Sequence, residues 1–340
     1  MSKSLGNVLK LIISLGLGAL IVWLTVRQLT AADIEVVKGV FRRTKYIWVI
    51  LGASVGMLSN VARAERWKML LNSVGYHPRR SNVIYSVFVM YAGNLIFPRL
   101  GEVSRCTLLY KTDNVPVDKS IGTMVLERVV DVVCMLLIGA VALILQYDLL
   151  MKFLNEKFLS HLSFDTSKYT SSYFILFIAI LLVALISVFI YLFFKMRSHP
   201  FVVKLEGFVR GMIDGLLSIR KLQNPLLFIF YSIVIWGMYT AMIVICYNSL
   251  PETSSVGAIS GFAIVFFGGI AFIVSQGGIG AYPPIVGLVL VLYGVPYEVG
   301  FAFGWLVWAI QTAAVITAGV VSLLLVSRNF TFNTTKTELE

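Results

Sequence analysis

Six long apolar runs, at about residues 8–26, 46–61, 125–146, 172–194, 225–247 and 301–326, alternate with short connectors rich in Lys and Arg. A hydrocarbon core of about 30 Å needs about 20 helical residues, so most of these runs predict full membrane spans; the second does so only if it extends toward Arg63. The first run follows Lys3 and Lys10 in the manner of a signal peptide. Its apolar stretch exceeds the roughly 7 to 15 residues of a cleaved signal, and an uncleaved span is expected.

Two further apolar stretches do not fit a simple span. Residues 82–97 are short, contain Gly93 and Asn94, and end at Pro98. Proline lacks a backbone donor and discourages helix at the residue before it. Residues 257–293 are interrupted by Ser275-Gln276-Gly277-Gly278-Ile279-Gly280 and then by Pro283-Pro284. Both predict broken or re-entrant helical hairpins.

Connector charge orients the chain. Arg63, Arg66, Lys68, Arg79 and Arg80 precede the first broken stretch, and Arg99, Arg105, Lys111 and Lys119 follow it. The positive-inside rule keeps both groups cytoplasmic if residues 82–97 return to the side they left. By the same rule 147–171 lies outside and 195–224 inside; 248–256 and 294–300, without Lys or Arg, lie outside, and both termini are cytoplasmic. Residues 27–45 then fall outside despite Arg27, Lys38, Arg42, Arg43 and Lys45, and an amphipathic surface helix is expected there. The order span, hairpin, span recurs in opposite orientation over 46–146 and 225–326, the pattern of an inverted repeat whose interrupted segments mark a binding site.

Composition adds the class: 58% hydrophobic against 13% charged residues describes an all-α, polytopic membrane helical bundle. One membrane domain is expected over 1–328, followed by a short polar cytoplasmic tail at 329–340 without a fold of its own. The net charge of +11 resides in connectors, so a face toward anionic lipid explains it and nucleic acid is not expected. Cys106, Cys134 and Cys246 lack metal or redox spacing, and no disulfide is expected. His77, His161 and His199 read as solvated connector residues.

Candidate chemistry gathers around the first break. Arg99, Glu102 and Arg105 stand at three-residue steps on one helical face, with Glu102 placed to tie two guanidinium groups that keep a net positive charge. Guanidinium binds phosphate in bidentate fashion, and Gly101 allows close backbone approach. Membrane anchoring is the alternative for both arginines. Glu127, Arg128 and Asp131 open the third span; acids suit a helix N-terminus, yet Asp131 lies deep enough to need a partner among Arg63, Arg66, Arg99, Arg105 or Arg128. Arg63 and Arg66, beside Trp67, are anchors or secondary binding candidates. Gln276, Gly277, Gly278 and Gly280 expose backbone groups that must be covered by protein or face a cavity or ligand. No metal-ligand cluster and no Ser-His-Asp set is evident, so no catalytic residue, metal or cofactor is expected.

Arg63-x-x-Arg66-Trp67 with Leu70-Leu71, Asn94 followed by Pro98-Arg99, Gly101-Glu102 and Arg105, Glu127-Arg128-x-x-Asp131, and Gly277-Gly278-Ile279-Gly280 together resemble the lysylphosphatidylglycerol synthase transmembrane, or flippase-like, family. The resemblance runs over most of the chain and implies a multi-span domain of the bacterial cytoplasmic membrane. It implies translocation of a lipid-linked substrate, with basic residues near the breaks meeting its headgroup. Gln276 stands where the family usually has proline, and Tyr282 near an expected acid. Larger relatives carry an aminoacyl-transfer domain that this chain lacks, so a non-enzymatic transporter of an anionic phospholipid or polyprenyl-phosphate-linked lipid is expected. The alternatives are an intramembrane headgroup or glycan transferase and a non-transporting partner subunit. Expected partners are membrane lipids and either a second copy or a lipid-modifying enzyme.

Overall fold

The computed structural model describes residues 30–96, 100–147 and 222–337, with positions 27 and 149 besides. By its contacts the chain divides into residues 1–145 with 218–340, and 146–217. The architecture below is that of the first unit. The expected spans at 8–26 and 172–194 lie outside the described residues, as do Phe97, Pro98 and Arg99.

Every regular element among the described residues is helical. Helix α1, Ala31–Arg43, occupies the segment where a surface helix is expected. Thr30 and Asp33 close a reciprocal capping box at its start, and Arg42 and Arg43 complement the dipole at its end. Its exit is tied to the turn after residue 247: Lys45 N donates to Ser249 O at 2.9 Å, and Arg43 pairs with Glu252 at 2.5 Å. The segments 27–45 and 248–256, expected on one side of the membrane for separate reasons, thus meet.

Helix α2, Tyr46–Ser73, runs well past the run at 46–61. Arg63 and Arg66 do not end it, because both are buried and paired inside the fold. Helix α6, Pro225–Tyr247, starts on a proline at its first position and packs antiparallel along α2. The two backbones approach closely at Gly52, where an added Cβ would sit 2.8 Å from Met242 O.

Helices α3, Arg80–Ile96, and α4, Leu100–Asp113, form a hairpin. Its limbs are pressed together at Gly93 and Gly101, where an added Cβ on Gly101 would overlap the Met90 carbonyl and stand 2.8 Å from Asn94 Oδ1. Asn94 Oδ1 accepts from Gly101 N at 3.0 Å, satisfying a donor in the first turn of α4. At the open end Asp113 accepts from Arg79 N and Asn82 Nδ2, both at 2.9 Å, so the chain leaves and returns at one place.

Helix α5, Val117–Leu145, begins earlier than the apolar run at 125–146. A single turn, Pro251–Ser254, precedes α7, Ser260–Val274. A 3₁₀ turn, Gln276–Gly278, leads into α8, Tyr282–Val291. Gly277, Gly278 and Gly280 have φ of 61°, 75° and 77°, the left-handed region that side chains avoid, which is why glycine recurs at this break. Limbs α7 and α8 close on each other where the Tyr282 ring covers Gly268 and meets Phe272 edge-on at 5.6 Å.

Helix α9, Tyr297–Thr337, starts before the apolar run at 301–326. It also continues through most of the polar tail, which the sequence reading leaves without structure. Helix α9 packs on α3, and α5 packs on α7. Four of the described helices are long and apolar enough to cross a membrane: Tyr46–Ser73, Val117–Leu145, Pro225–Tyr247 and Tyr297–Ser327. Their outward faces carry exposed Leu136, Leu137, Ile144, Leu226 and Ile233, while arginines and carboxylates are buried within. Burial of charge beneath an apolar exterior is what a lipid solvent selects, and the protein is an integral membrane helical bundle.

Candidate functional site

Three helices bring the charged residues together. The three-residue step on α2 points Arg63 and Arg66 to one side, toward Glu127 and Asp131, one turn apart on α5. Helix α4 supplies Arg105 from the third direction. Arg66, Arg105 and Glu127 are each 0% exposed and Arg63 is 4% exposed, so this is an interior network.

Glu127 is its centre. One carboxylate oxygen accepts from Arg63 Nη1 at 3.0 Å and the other from Arg105 Nη2 at 2.9 Å, with Arg66 at 3.8 Å. Asp131 binds Arg63 through one oxygen and Arg66 Nη2 at 2.5 Å through the other. Uncharged partners complete the shell: Arg66 Nη1 donates to Ser232 Oγ at 3.1 Å, and Arg63 Nη2 to Tyr239 OH at 3.4 Å. The Arg105 guanidinium lies over the Trp67 ring at 4.2 Å, and Trp67 Nε1 donates to Thr123 Oγ1 at 3.1 Å. A desolvated cation over an indole contributes about 2 kcal/mol.

This differs from the expected pairing in one respect. Glu102 does not tie Arg105: Arg105 turns inward to Glu127 and Trp67, while Glu102, one turn earlier on α4, reaches Arg128 on the same helix as Glu127. Glu102 instead holds Arg128 Nη2 at 3.2 Å, and Arg128 Nη1 is 3.9 Å from Asp131. Asp131 finds the arginine partners its depth demands. Arg99 lies outside the described residues. The seven placed groups comprise four arginines and three carboxylates, leaving one positive charge in excess.

The two breaks meet. Gln276 Nε2 donates to Asn94 O and Leu95 O, both at 3.2 Å, so the amide of one hairpin tip caps carbonyls at the other. A proline there could supply no such donor. Gly277 packs beneath Leu95, and its carbonyl accepts from Trp308 Nε1 at 2.8 Å.

Beside the joined tips lies a cavity of about 670 Å³, bounded by both hairpins and by α2, α5, α6 and α9. Asn94, Glu102, Arg128, Gln276 and Gly277 line it, whereas Arg63, Arg66, Arg105, Glu127, Asp131, Gly278 and Gly280 stand behind the wall. Asn60, Trp236, Tyr239, Trp308 and Gln311 also line it and were not singled out by the sequence reading. Asn60 and Gln311 had a usable signal, an amide within an otherwise apolar span; the aromatic residues had none. Trp236 Nε1, Gln276 Oε1 and Gln311 Oε1 are buried without a hydrogen-bond partner. Among the described residues, no cluster of three His, Cys, Asp or Glu could hold a metal, and all three cysteines are free.

No curated protein and no solved structure is significantly similar to the chain. Residues 7–319, a range containing both hairpins, the arginine network and the cavity wall, match the family model of the lysylphosphatidylglycerol synthase TM region, and the chain belongs to that family.

Proposed function

We propose that the protein moves a lipid with an anionic headgroup, a phospholipid or a polyprenyl-phosphate-linked lipid, between membrane leaflets. The observation that carries this reading is the cavity beside the joined hairpin tips, with Arg128 and Glu102 in its wall and a surplus positive charge behind them. In this reading α3–α4 is re-entrant from the cytoplasmic face and α7–α8 from the outer face, as halves of an inverted repeat. The headgroup enters from one face, crosses where the tips separate, and leaves by the other, while its acyl chains stay in lipid. Interrupted helices at corresponding positions of two halves are a recurring transporter device. The protein supplies positioning and charge, with no bond made or broken.

The test is leaflet exchange of labelled lipids in liposomes containing the purified protein. A transporter accelerates exchange of anionic lipids over phosphatidylcholine and slows when Arg128 is replaced by Gln. A change in the lipid's mass would identify a transferase instead. Neither exchange nor mass change would reduce the chain to a partner subunit and end the proposal.

A further inference from the structure

Of the four arginines in the network, Arg128 alone lines the cavity; its side chain is 38% exposed, against 0 to 4% for Arg63, Arg66 and Arg105. The three inner guanidiniums are engaged by Glu127 and Asp131. Arg128 is held loosely: Glu102 at 3.2 Å through one nitrogen, Asp131 at 3.9 Å, and Met90 Sδ at 3.7 Å. Its Nε has no partner, a condition it shares with the Nε of Arg63, Arg66 and Arg105, so what sets Arg128 apart is its place in the cavity wall and its longer ion-pair distances. A guanidinium engages phosphate best by two parallel N–H donors, and this one presents such a fork half used.

Glu102 is 24% exposed and lines the same cavity, in the first turn of α4 beside the hairpin tip. Among the described residues, Arg128 is the cation it pairs with. In the same cavity wall, Gln276 is 8% exposed and Gln311 is half-buried, and the Oε1 of each is buried without a hydrogen-bond partner. These two oxygens would repel a bare phosphate but accept hydrogen bonds from hydroxyl groups beside one. Leaving them without a donor is costly, and a ligand that donates as well as accepts would satisfy them.

We infer that Glu102 is a resident substitute for the ligand's anionic group: it occupies Arg128 in the empty site and is displaced when a phosphate flanked by hydroxyls enters, the phosphate taking the Arg128 fork and the hydroxyls taking Gln276 and Gln311. This rests on reading the cavity as a headgroup site. Keeping Arg128 paired when the cavity is empty avoids an uncompensated charge, and expelling Glu102 sets the threshold for binding. A phosphate ester bearing free hydroxyls, such as a glycerol or sugar phosphate, satisfies every group named, whether it is the diester of a membrane lipid headgroup or the monoester of a soluble polyol phosphate.

The experiment measures binding apart from transport. Purified protein is titrated with glycerol 3-phosphate in detergent, and with phosphatidylglycerol against phosphatidylcholine in nanodiscs, reading the fluorescence of the cavity residues Trp236 and Trp308. Glu102→Gln should bind at least about tenfold tighter than the native protein, since a competing charge-assisted contact is gone. Arg128→Gln should abolish saturable binding. Glu102→Asp, with shorter reach, should also tighten binding, and Arg128→Gln combined with Glu102→Gln should melt like the native protein while binding nothing. Tightening with both probes assigns the site to the phosphate-hydroxyl group itself, and tightening with the lipid alone assigns it to a membrane lipid. Unchanged or weaker binding by both Glu102 variants, or retained binding by Arg128→Gln, overturns the inference. If binding follows the expected pattern but no lipid changes leaflet, the transport reading falls and this inference stands; if transport is normal and binding does not tighten, the reverse holds.

Discussion

Replacing Glu127 by Gln removes one negative charge from the centre of the arginine network with little change of shape. Glu127 is 0% exposed and its two oxygens accept from Arg63 at 3.0 Å and Arg105 at 2.9 Å, with Arg66 at 3.8 Å. In the variant Arg105 keeps the Trp67 face but no carboxylate among the described residues, and the amide NH₂ of Gln must face a guanidinium. Breaking a buried pair from one side costs about 3–5 kcal/mol, because the remaining charge stays desolvated. For a chain of this size that is a fall in melting midpoint on the order of 10 °C. Cys106 and Cys246 are 0% and 1% exposed, so a thiol-reactive fluorophore followed on heating in detergent reports when the bundle opens. Glu35→Gln is the control: it removes the Lys38 partner from a pair with side chains 55% and 67% exposed, and should change stability by less than about 0.5 kcal/mol. If Glu127→Gln melts within about 2 °C of the native protein, the carboxylate does not hold the arginines together and the network account is wrong.

Gly101→Ala should open the α3–α4 hairpin, since its Cβ would overlap the Met90 carbonyl; a loss at or above the upper end of about 1–3 kcal/mol is expected by the same melt. Gly237→Ala, with nothing within 4 Å of the added carbon, should be neutral or stabilising. Gln276→Ala removes both 3.2 Å bonds between the hairpin tips and should cost about 1–3 kcal/mol, seen as faster amide exchange at 275–280 with little change in α2. An impermeant thiol reagent should label Lys38→Cys from outside sealed cells and Lys111→Cys only after lysis; the opposite pattern would invert the proposed orientation.

Much of the fold was legible because the runs near 46, 225 and 301 are predominantly apolar, and because Pro98 and the 275–280 glycines interrupt two others. The full extent of α2 was not legible. Arg63 and Arg66 mimic the end of a span, and only their partners on α5, more than sixty positions away, show that they lie within it. Three-residue spacing put Glu102 and Arg105 on related faces, but which face meets α5 depends on the rotation of α4, set by the Gly93–Gly101 contact. Asp131 was legible as a group needing a cation, since depth alone requires one. The Gln276 link to Asn94 and Leu95 could not be foreseen, because it joins two tips distant in sequence.

A chamber that opens to pass something as large as a phosphate ester would ordinarily let protons and sodium leak with it. Among the described residues, the one uncompensated guanidinium charge of the network guards against this within the proposed reading. At an effective dielectric constant of about 20, a unit charge about 8 Å away repels a small cation by roughly 2 kcal/mol, and the same field attracts an anion equally. Fixed cations exclude protons in other conducting pathways by this means. Small cations can therefore be held back while a bulky anion passes, and neutralising that charge should show first as cation leakage, before any loss of lipid movement.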